Sequence, residues 1–465
     1  MSRKPWENVI LASCLLLIWC STPATWAAVK LPALISDNLV LQQGRPVCIW
    51  GRAEKGEKIT LLFAGKELTT TADESGNWKV VLEKLDYNNQ PQQLVVKGAS
   101  GDSLTVKNIL VGEVWLCSGQ SNMAWPLKGA QRGAEEVAAA DYPAMRLFQV
   151  ARVKAPEPLT DVQGSWKTCT PQTAADFSAV AYFFGRELHR ILNVPIGLIE
   201  ADWGGTPAEF WTNRETLKTH PDLHSLANLP EAGSLYHGMI APLTAFPIAG
   251  VIWYQGESNV GRAEQYRLLF PTLIGEWRQA WGLGAFPFLF VQIAPYRYNS
   301  PEATTAAELR DAQLFTLQSV PNTGMVVTTD IGEINDIHPK NKQDVGRRLA
   351  LWALAKTYGQ ELICSGPIYK SMAIEGDKIR LTFEHLGGGL VAGDGKPLRG
   401  FTIAAPDGVF RTAQADIDGD TVLVWAEGVA EPKAVRYGWR NDAAGANLAN
   451  KAGLPASPFR TDSPR

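Results

Sequence analysis

The sequence predicts an α/β domain carried between two β-rich regions, and three observations predict it. Short alternating apolar runs broken by turn residues fill 29–108. Apolar strand-like runs then alternate with amphipathic helical stretches over 109–362, and short alternating runs return from 363 onward. Strand–helix alternation is the mark of a largely parallel sheet, because parallel strands need a crossover between them. The expected division is a leader at 1–27, a β-sandwich-like domain at 28–108, the α/β domain at 109–362 and a β-rich domain at 363–465.

The leader has a basic start at Arg3 and Lys4, an apolar run from Val9 to Trp19, and Thr25-Trp26-Ala27 before Ala28. That is the layout of a secretory signal peptide cut after Ala27. The apolar run is shorter than the roughly 20 residues a membrane span needs. Leu11-Ala12-Ser13-Cys14 has the form of a lipoprotein box, but cleavage there would leave Leu15 to Trp19 exposed. The expected product is exported, to the periplasm or outside the cell, with no membrane attachment after cleavage. Cys14 and Cys20 fall in the leader. Cys48, Cys117, Cys169 and Cys364 are widely spaced with no CxxC, which argues against a metal site or a disulfide framework. Buried thiols are the expectation, although an exported protein can pair two of them.

The 465 residues carry 44 basic and 47 acidic side chains, a net charge of −3. A general nucleic-acid binder, which needs clustered excess Lys and Arg, is excluded. With 45% hydrophobic and 20% charged residues the chain is of ordinary globular composition, neither disordered nor collagen-like. Its 16 Trp residues suit a sugar-handling protein, and equally an aromatic core.

In the first β region, Thr60 to Phe63, Trp78 to Leu82 and Gln93 to Val96 read as strands, with turns at Gly65-Lys66, Asp73 to Gly76 and Ala99 to Asp102. In the α/β region the strands are Ile109 to Cys117, Val194 to Ala201, Ala249 to Tyr254, Phe286 to Ile293 and Gly324 to Thr329. The helices are Val180 to Leu192, Gln265 to Trp281, Leu309 to Leu317 and Lys342 to Tyr358. Thr219 to Gly233 reads as loop or short helices. Beyond Gly366, Lys378 to Phe383 and Val422 to Trp425 are strands.

Chemistry gathers just past the central strands, where open parallel sheets place their sites. Ile109 to Cys117 runs into Ser118-Gly119-Gln120-Ser121-Asn122-Met123, where a serine on a tight turn can project a nucleophilic oxygen. Val194 to Ala201 runs into Asp202-Trp203-Gly204-Gly205-Thr206, whose glycines let backbone N–H groups approach a substrate oxygen. Ala249 to Tyr254 runs into Gln255-Gly256-Glu257-Ser258-Asn259. Gly324 to Thr329 leads to Asp330, Glu333, Asn335, Asp336 and His338. Of the six histidines His338 alone sits among carboxylates in a strand-end loop; His189, His220, His224, His237 and His385 read as packing or surface residues. Serine, histidine and carboxylate at separate strand ends point to acyl transfer.

Gly119-Gln120-Ser121-Asn122-Met123, Trp203-Gly204-Gly205-Thr206, Trp253-Tyr254-Gln255-Gly256-Glu257-Ser258-Asn259 and Asp336-Ile337-His338-Pro339-Lys340-Asn341 together resemble the sialate O-acetylesterase family of SGNH hydrolases. Asp37 to Gln43, Val435 to Trp439 and Gly453 to Phe459 resemble the start and end of that family. The resemblance implies a flavodoxin-like three-layer α/β/α domain and a serine esterase for O-acetylated carbohydrates, with 9-O-acetylated sialic acid as the leading substrate and acetylxylan or another plant polysaccharide as the alternative. Ser121 matches the nucleophile, His338 the base, and Gly204 or Gly205 the oxyanion glycine. The broader pattern has its acid three residues before the histidine; here that position is Asn335, and Asp336 stands two before. Asp336 and Glu257 therefore compete for the third role. Ser258 stands where the pattern has asparagine, so Gln255 or Asn259 is the candidate for the amide donor. Longer relatives carry an inserted β domain, for which the Phe210 to Tyr236 connection is too short. Trp203, Trp211, Trp253, Tyr254 and Trp439 are candidate sugar platforms, with at least half expected in the core.

Two other classes compete: a non-catalytic carbohydrate-binding protein on the same scaffold, and a glycosidase using Glu257 with Asp330 or Asp336. No cofactor and no metal is expected, since neither a phosphate-binding loop nor a metal-spaced His pair is present.

Overall fold

The computed structural model describes Met1, residues 29–99 and residues 101–462. The expected leader, with Cys14 and Cys20, lies outside the described residues apart from Met1.

The first region forms two small sheets face to face. Val47–Arg52 pairs with Asn77–Leu82, and Lys58–Phe63 pairs with both Lys66–Thr71 and Asn88–Gly98. Period-two burial sends Val47, Ile49, Ile59, Leu61, Trp78 and Val80 into the space between them. The sheet does not stop at 108. Strand β1, Ser103–Gly119, pairs antiparallel with Asn88–Gly98 through its first half. Its second half runs through the α/β domain. Asn108 takes a left-handed φ of 58°, its side-chain amide donates to Asn38 Oδ1 at 2.7 Å, and the strand continues past it. The boundary expected between 108 and 109 thus lies within one strand shared by both regions.

The α/β domain continues with β2 (Tyr142–Gln149), β3 (Trp166–Cys169), α1 (Ala179–Leu192), β4 (Ile196–Asp202), β5 (Gly250–Tyr254), α2 (Ala263–Trp281), β6 (Phe288–Val291), α3 (Thr305–Ser319), β7 (Thr323–Val326) and α4 (Lys342–Lys356). The strand order is β7-β6-β5-β1-β4-β2-β3, parallel except for the edge strand β3. Leaving aside the β2–β3 extension, this is the doubly wound flavodoxin-like order, with its switch point between β1 and β5. Side chains alternate between two cores. Trp115, Cys117, Leu198, Ile252 and Leu289 face α1 and α4, while Val114, Leu116, Val251, Trp253 and Phe288 face α2 and the other side. The α1–α4 crossing is close because a Cβ on Gly346 would lie 2.6 Å from Phe183 Cβ.

No strand lies between Asp202 and Gly250; the connection holds a helix at Arg214–Thr219 and short 3-10 and π turns. The last region packs two four-stranded antiparallel sheets. Among the described residues no helix is long and apolar enough to cross a membrane, and no three His, Cys, Asp or Glu side chains are grouped to hold a metal. Cys48 is half-buried, Cys117, Cys169 and Cys364 are buried, and all four are free thiols.

Candidate active site

The switch point is built by glycine. Gly119 ends β1 with φ +144°, and a Cβ there would lie 2.2 Å from Tyr254 O. Only glycine lets the end of β1 press against β5 in this way. Gln120 N–H then donates to Tyr254 O at 2.9 Å, and the N–H groups of Met123 and Ala124 both return to Gln120 O. This tight turn leaves Ser121 half-buried at its outer edge, above the carboxyl ends of β4 and β5.

His338 comes from the loop between β7 and α4. Its Nε2 lies 2.9 Å from Ser121 Oγ, across 217 residues of chain. The indole of Trp125 stacks on the imidazole, with ring centroids 5.2 Å apart and planes 22° from parallel. Asp336 Oδ1 accepts the backbone N–H of His338 at 2.9 Å, an Asx turn that shapes the loop. The same oxygen stands 3.9 Å from His338 Nδ1, beyond hydrogen-bond range. Burial and the neighbouring Lys342 charge hold the imidazole below its ordinary value, and Asp336 pulls the other way. Asn335 is exposed.

Glu257 is buried on the loop after β5 and accepts from Asn122 Nδ2 at 2.6 Å, while its Oε2 has no hydrogen-bond partner among the described residues. Burial raises its carboxyl above the usual range. Asp330 is held bidentately by Arg348.

The glycines of the β4 loop divide. Gly204 touches the Ser121 turn: a Cβ there would lie 3.2 Å from Ser121 Cβ. Gly205 has φ +74° and open space around it. The backbone N–H groups of Ser121 and Gly204 donate to no protein acceptor among the described residues. Gln255 and Asn259 are fully buried, and their amides bond inward. Gln255 Nε2 donates to Asn259 Oδ1 at 2.7 Å and to Thr206 O at 3.3 Å. Asn259 Nδ2 donates to Glu209 Oε2 at 3.0 Å, and its Oδ1 accepts from Ala208 N–H at 3.0 Å. Both side chains brace the 204–209 loop from beneath.

Of the aromatic platforms, Trp211, Trp253, Tyr254 and Trp439 are buried in the core. Trp203 is partly exposed, with Lys154 Nζ 5.3 Å above its ring. Sequence reasoning did not single out Trp125, two residues past Met123. A tryptophan that close to a nucleophile turn is the signal that could have found it.

A family model described as a carbohydrate esterase, sialic acid-specific acetylesterase, matches residues 111–355. The chain is 31% identical over 421 residues to a sialate O-acetylesterase of Rattus norvegicus, covering 75% of this chain and 78% of that one. It is 30% identical over 423 residues to the sialate O-acetylesterase of Homo sapiens, covering 79% of each. Its fold is similar to the crystal structure of a carbohydrate acetylesterase from Xanthomonas citri, with TM-score 0.89 and 42% identity, covering 94% of this chain and 100% of that one. With Ser121 and His338 brought together at the switch point of such a sheet, the chain belongs to the carbohydrate esterase family of sialic acid-specific acetylesterases and is a carboxylic ester hydrolase.

Proposed function

We propose that this carbohydrate acetylesterase is an exported serine esterase that removes O-acetyl groups from sugars through an acyl-enzyme on Ser121. The observation that carries the reading is the 2.9 Å approach of His338 Nε2 to Ser121 Oγ. Ser121 Oγ attacks the acetyl carbonyl while His338 Nε2 takes its proton. The tetrahedral oxyanion is received by the N–H groups of Ser121 and Gly204, which have no protein acceptor among the described residues. Loss of one such donor typically costs about 2.7–4 kcal/mol of transition-state stabilisation. Collapse passes the proton from His338 to the departing sugar oxygen and leaves acetyl on Ser121. Water then attacks the acyl-enzyme with His338 again as base, releasing acetate and restoring the serine. Asp336 orients the imidazole through the loop turn. The partly exposed rings of Trp125 and Trp203 form the walls against which the sugar lies.

The leading substrate is an O-acetylated sialic acid, for which the family model and the curated relatives are named, with the 9-O-acetyl form as the candidate. Acetate release is to be measured with wild type and Ser121→Ala, on 9-O-acetylated sialic acid and acetylated xylan in parallel. Release from the sialic acid by wild type alone is expected. Equal release by the variant overturns the nucleophile, and release from xylan alone overturns the substrate. For export, intact-mass analysis of protein expressed with its leader is expected to find Ala28 at the N-terminus.

A further inference from the structure

We propose that Lys342 is a positioning residue for the reaction: it holds Asn122, and through Asn122 it ties the nucleophile turn to the loop that carries the base. This rests on the reading of Ser121 and His338 as nucleophile and base.

Lys342 opens α4 only four residues after His338, and its side chain is 1% exposed. A buried ammonium is costly unless it is paired and hydrogen-bonded, so a lysine here demands a reason that a methionine would not. Its Nζ donates to Asn122 Oδ1 and lies 5.4 Å from the Tyr254 ring centroid and 6.0 Å from that of Trp125. Asn122 is the residue after the nucleophile and is fully buried. Its Nδ2 donates to Glu257 Oε1 at 2.6 Å and to Ile337 O at 3.0 Å. One amide thereby joins three loops: the Ser121 turn, the Glu257 turn after β5 and the backbone beside His338. The amide can hold that arrangement in only one orientation. Its oxygen must meet the ammonium, and its nitrogen must meet a carboxylate and a carbonyl, which accept but do not donate. Without Lys342, Asn122 Oδ1 loses its donor in a site with no water access, and nothing fixes which way the amide turns.

The same charge acts on the base. The charges facing Lys342 come from two loops: Glu257 after β5, and Glu333 and Asp336 before His338. All three favour its ammonium, while burial brings it down to about 7. His338 feels burial first, then Lys342, both favouring the neutral ring, with Asp336 opposing. Burial raises the Glu257 carboxyl, while Asn122, Lys342 and Arg310 pull it down. Because His338 titrates below its ordinary 6.5, Lys342 carries its charge across that titration and keeps the imidazole free to accept the serine proton.

The test compares the full chain with Lys342→Met, Lys342→Arg and Ser121→Ala, each checked for folding by thermal melting, using kcat and KM for a small aryl acetate as a function of pH. Lys342→Met is expected to lower kcat by about 10²-fold with little change in KM, the scale of a slight misplacement of reacting groups. Its acid limb is expected to move to higher pH. Lys342→Arg, which keeps the charge, is expected to hold the limb where wild type has it. An unmoved limb in Lys342→Met, or a limb in Lys342→Arg displaced as far as in Lys342→Met, overturns the proposal. If Lys342→Met does not fold, Lys342→Gln removes the charge while keeping a donor and decides on the same limb. Full activity in Ser121→Ala would instead remove the serine-esterase reading beneath it. An inactive Ser121→Ala beside an unaltered Lys342→Met removes the positioning role alone.

Discussion

Asp336 Oδ1 accepts the backbone N–H of His338 at 2.9 Å yet stands 3.9 Å from that residue's ring Nδ1. The carboxylate thus grips the loop more firmly than the imidazole. In a triad where the carboxylate bonds the ring directly, replacing it by an amide costs about 10⁴-fold in kcat. Asp336→Asn keeps an oxygen for the His338 N–H and is expected to cost only about 10–10²-fold, whereas His338→Ala removes the proposed base and is expected to cost about 10³–10⁴-fold. Steady-state kinetics on both variants checks this. A loss in Asp336→Asn as large as in His338→Ala would mean that the carboxylate closes on Nδ1 in the reacting complex.

The two loop glycines separate activity from stability. A Cβ on Gly204 would sit 3.2 Å from Ser121 Cβ, so Gly204→Ala must push the nucleophile turn or its own N–H out of place. A fall in kcat/KM of about 10²-fold is expected, with the melting temperature almost unchanged. Gly205 has free space but a left-handed φ of +74°, which costs an alanine about 1–2 kcal/mol of backbone strain. Gly205→Ala is therefore expected to melt lower while retaining most of its activity. The opposite assignment of effects would place the oxyanion donor at Gly205.

The pH profile follows from the proposed base, His338. His338 accepts a proton only when neutral, and burial together with the Lys342 charge depresses its pKa from 6.5. Activity therefore falls as pH drops through a point below 6.5, and is independent of this group at neutral pH. The acid limb of kcat/KM, which reports the free enzyme, is expected below 6.5. A limb well above 6.5 would assign the base to a different group.

The strand ends were legible in the sequence because apolar runs breaking into Gly, Ser, Asn and His are unusual, and four such breaks lay where an α/β sheet puts its site. Contacts that depend on side-chain direction were not. Gln255 and Asn259 are polar residues after an apolar strand, just as Ser121 is, but their amides turn down into the 204–209 loop. Spacing does not encode which way an amide points. Lys342 read as the first residue of an ordinary helix, since nothing local marks a lysine whose partner is 220 residues away. Strand β2 escaped notice because Tyr142-Pro143-Ala144-Met145-Arg146 lacks alternation: its first half is a partly exposed edge and its second half is buried on both faces. The shared strand β1 hid the join between regions, since the change of pattern at 108–109 falls inside one continuous strand, Ser103–Gly119.

Arg310 offers a test of how the last region is attached to the catalytic domain. It is fully buried in α3, and its guanidinium donates to four carbonyls: Ile293 O at 2.9 Å and Ala294 O at 3.2 Å after β6, and Arg440 O at 2.8 Å and Asn441 O at 3.0 Å in the last region. Asn441 Oδ1 answers by accepting Ala306 N–H at 2.8 Å near the start of α3. The planar fork is matched to this set of acceptors, and neither lysine nor methionine can reproduce it. Burial lowers the pKa of Arg310 to about 10, so it stays charged throughout the neutral range. Arg310→Met takes this donor from the carbonyls of Ile293, Ala294 and Arg440 and leaves Asn441 O only the Tyr296 N–H at 3.4 Å, at about 1–3 kcal/mol for each acceptor that water cannot reach. A loss of stability of at least about 3 kcal/mol is expected. Because the strain falls at the seam, calorimetry should split one unfolding transition into two, with the 363–465 region opening first. A single transition shifted by no more than a degree or two would show that the seam is held by its apolar packing and that Arg310 only orders the loops around it.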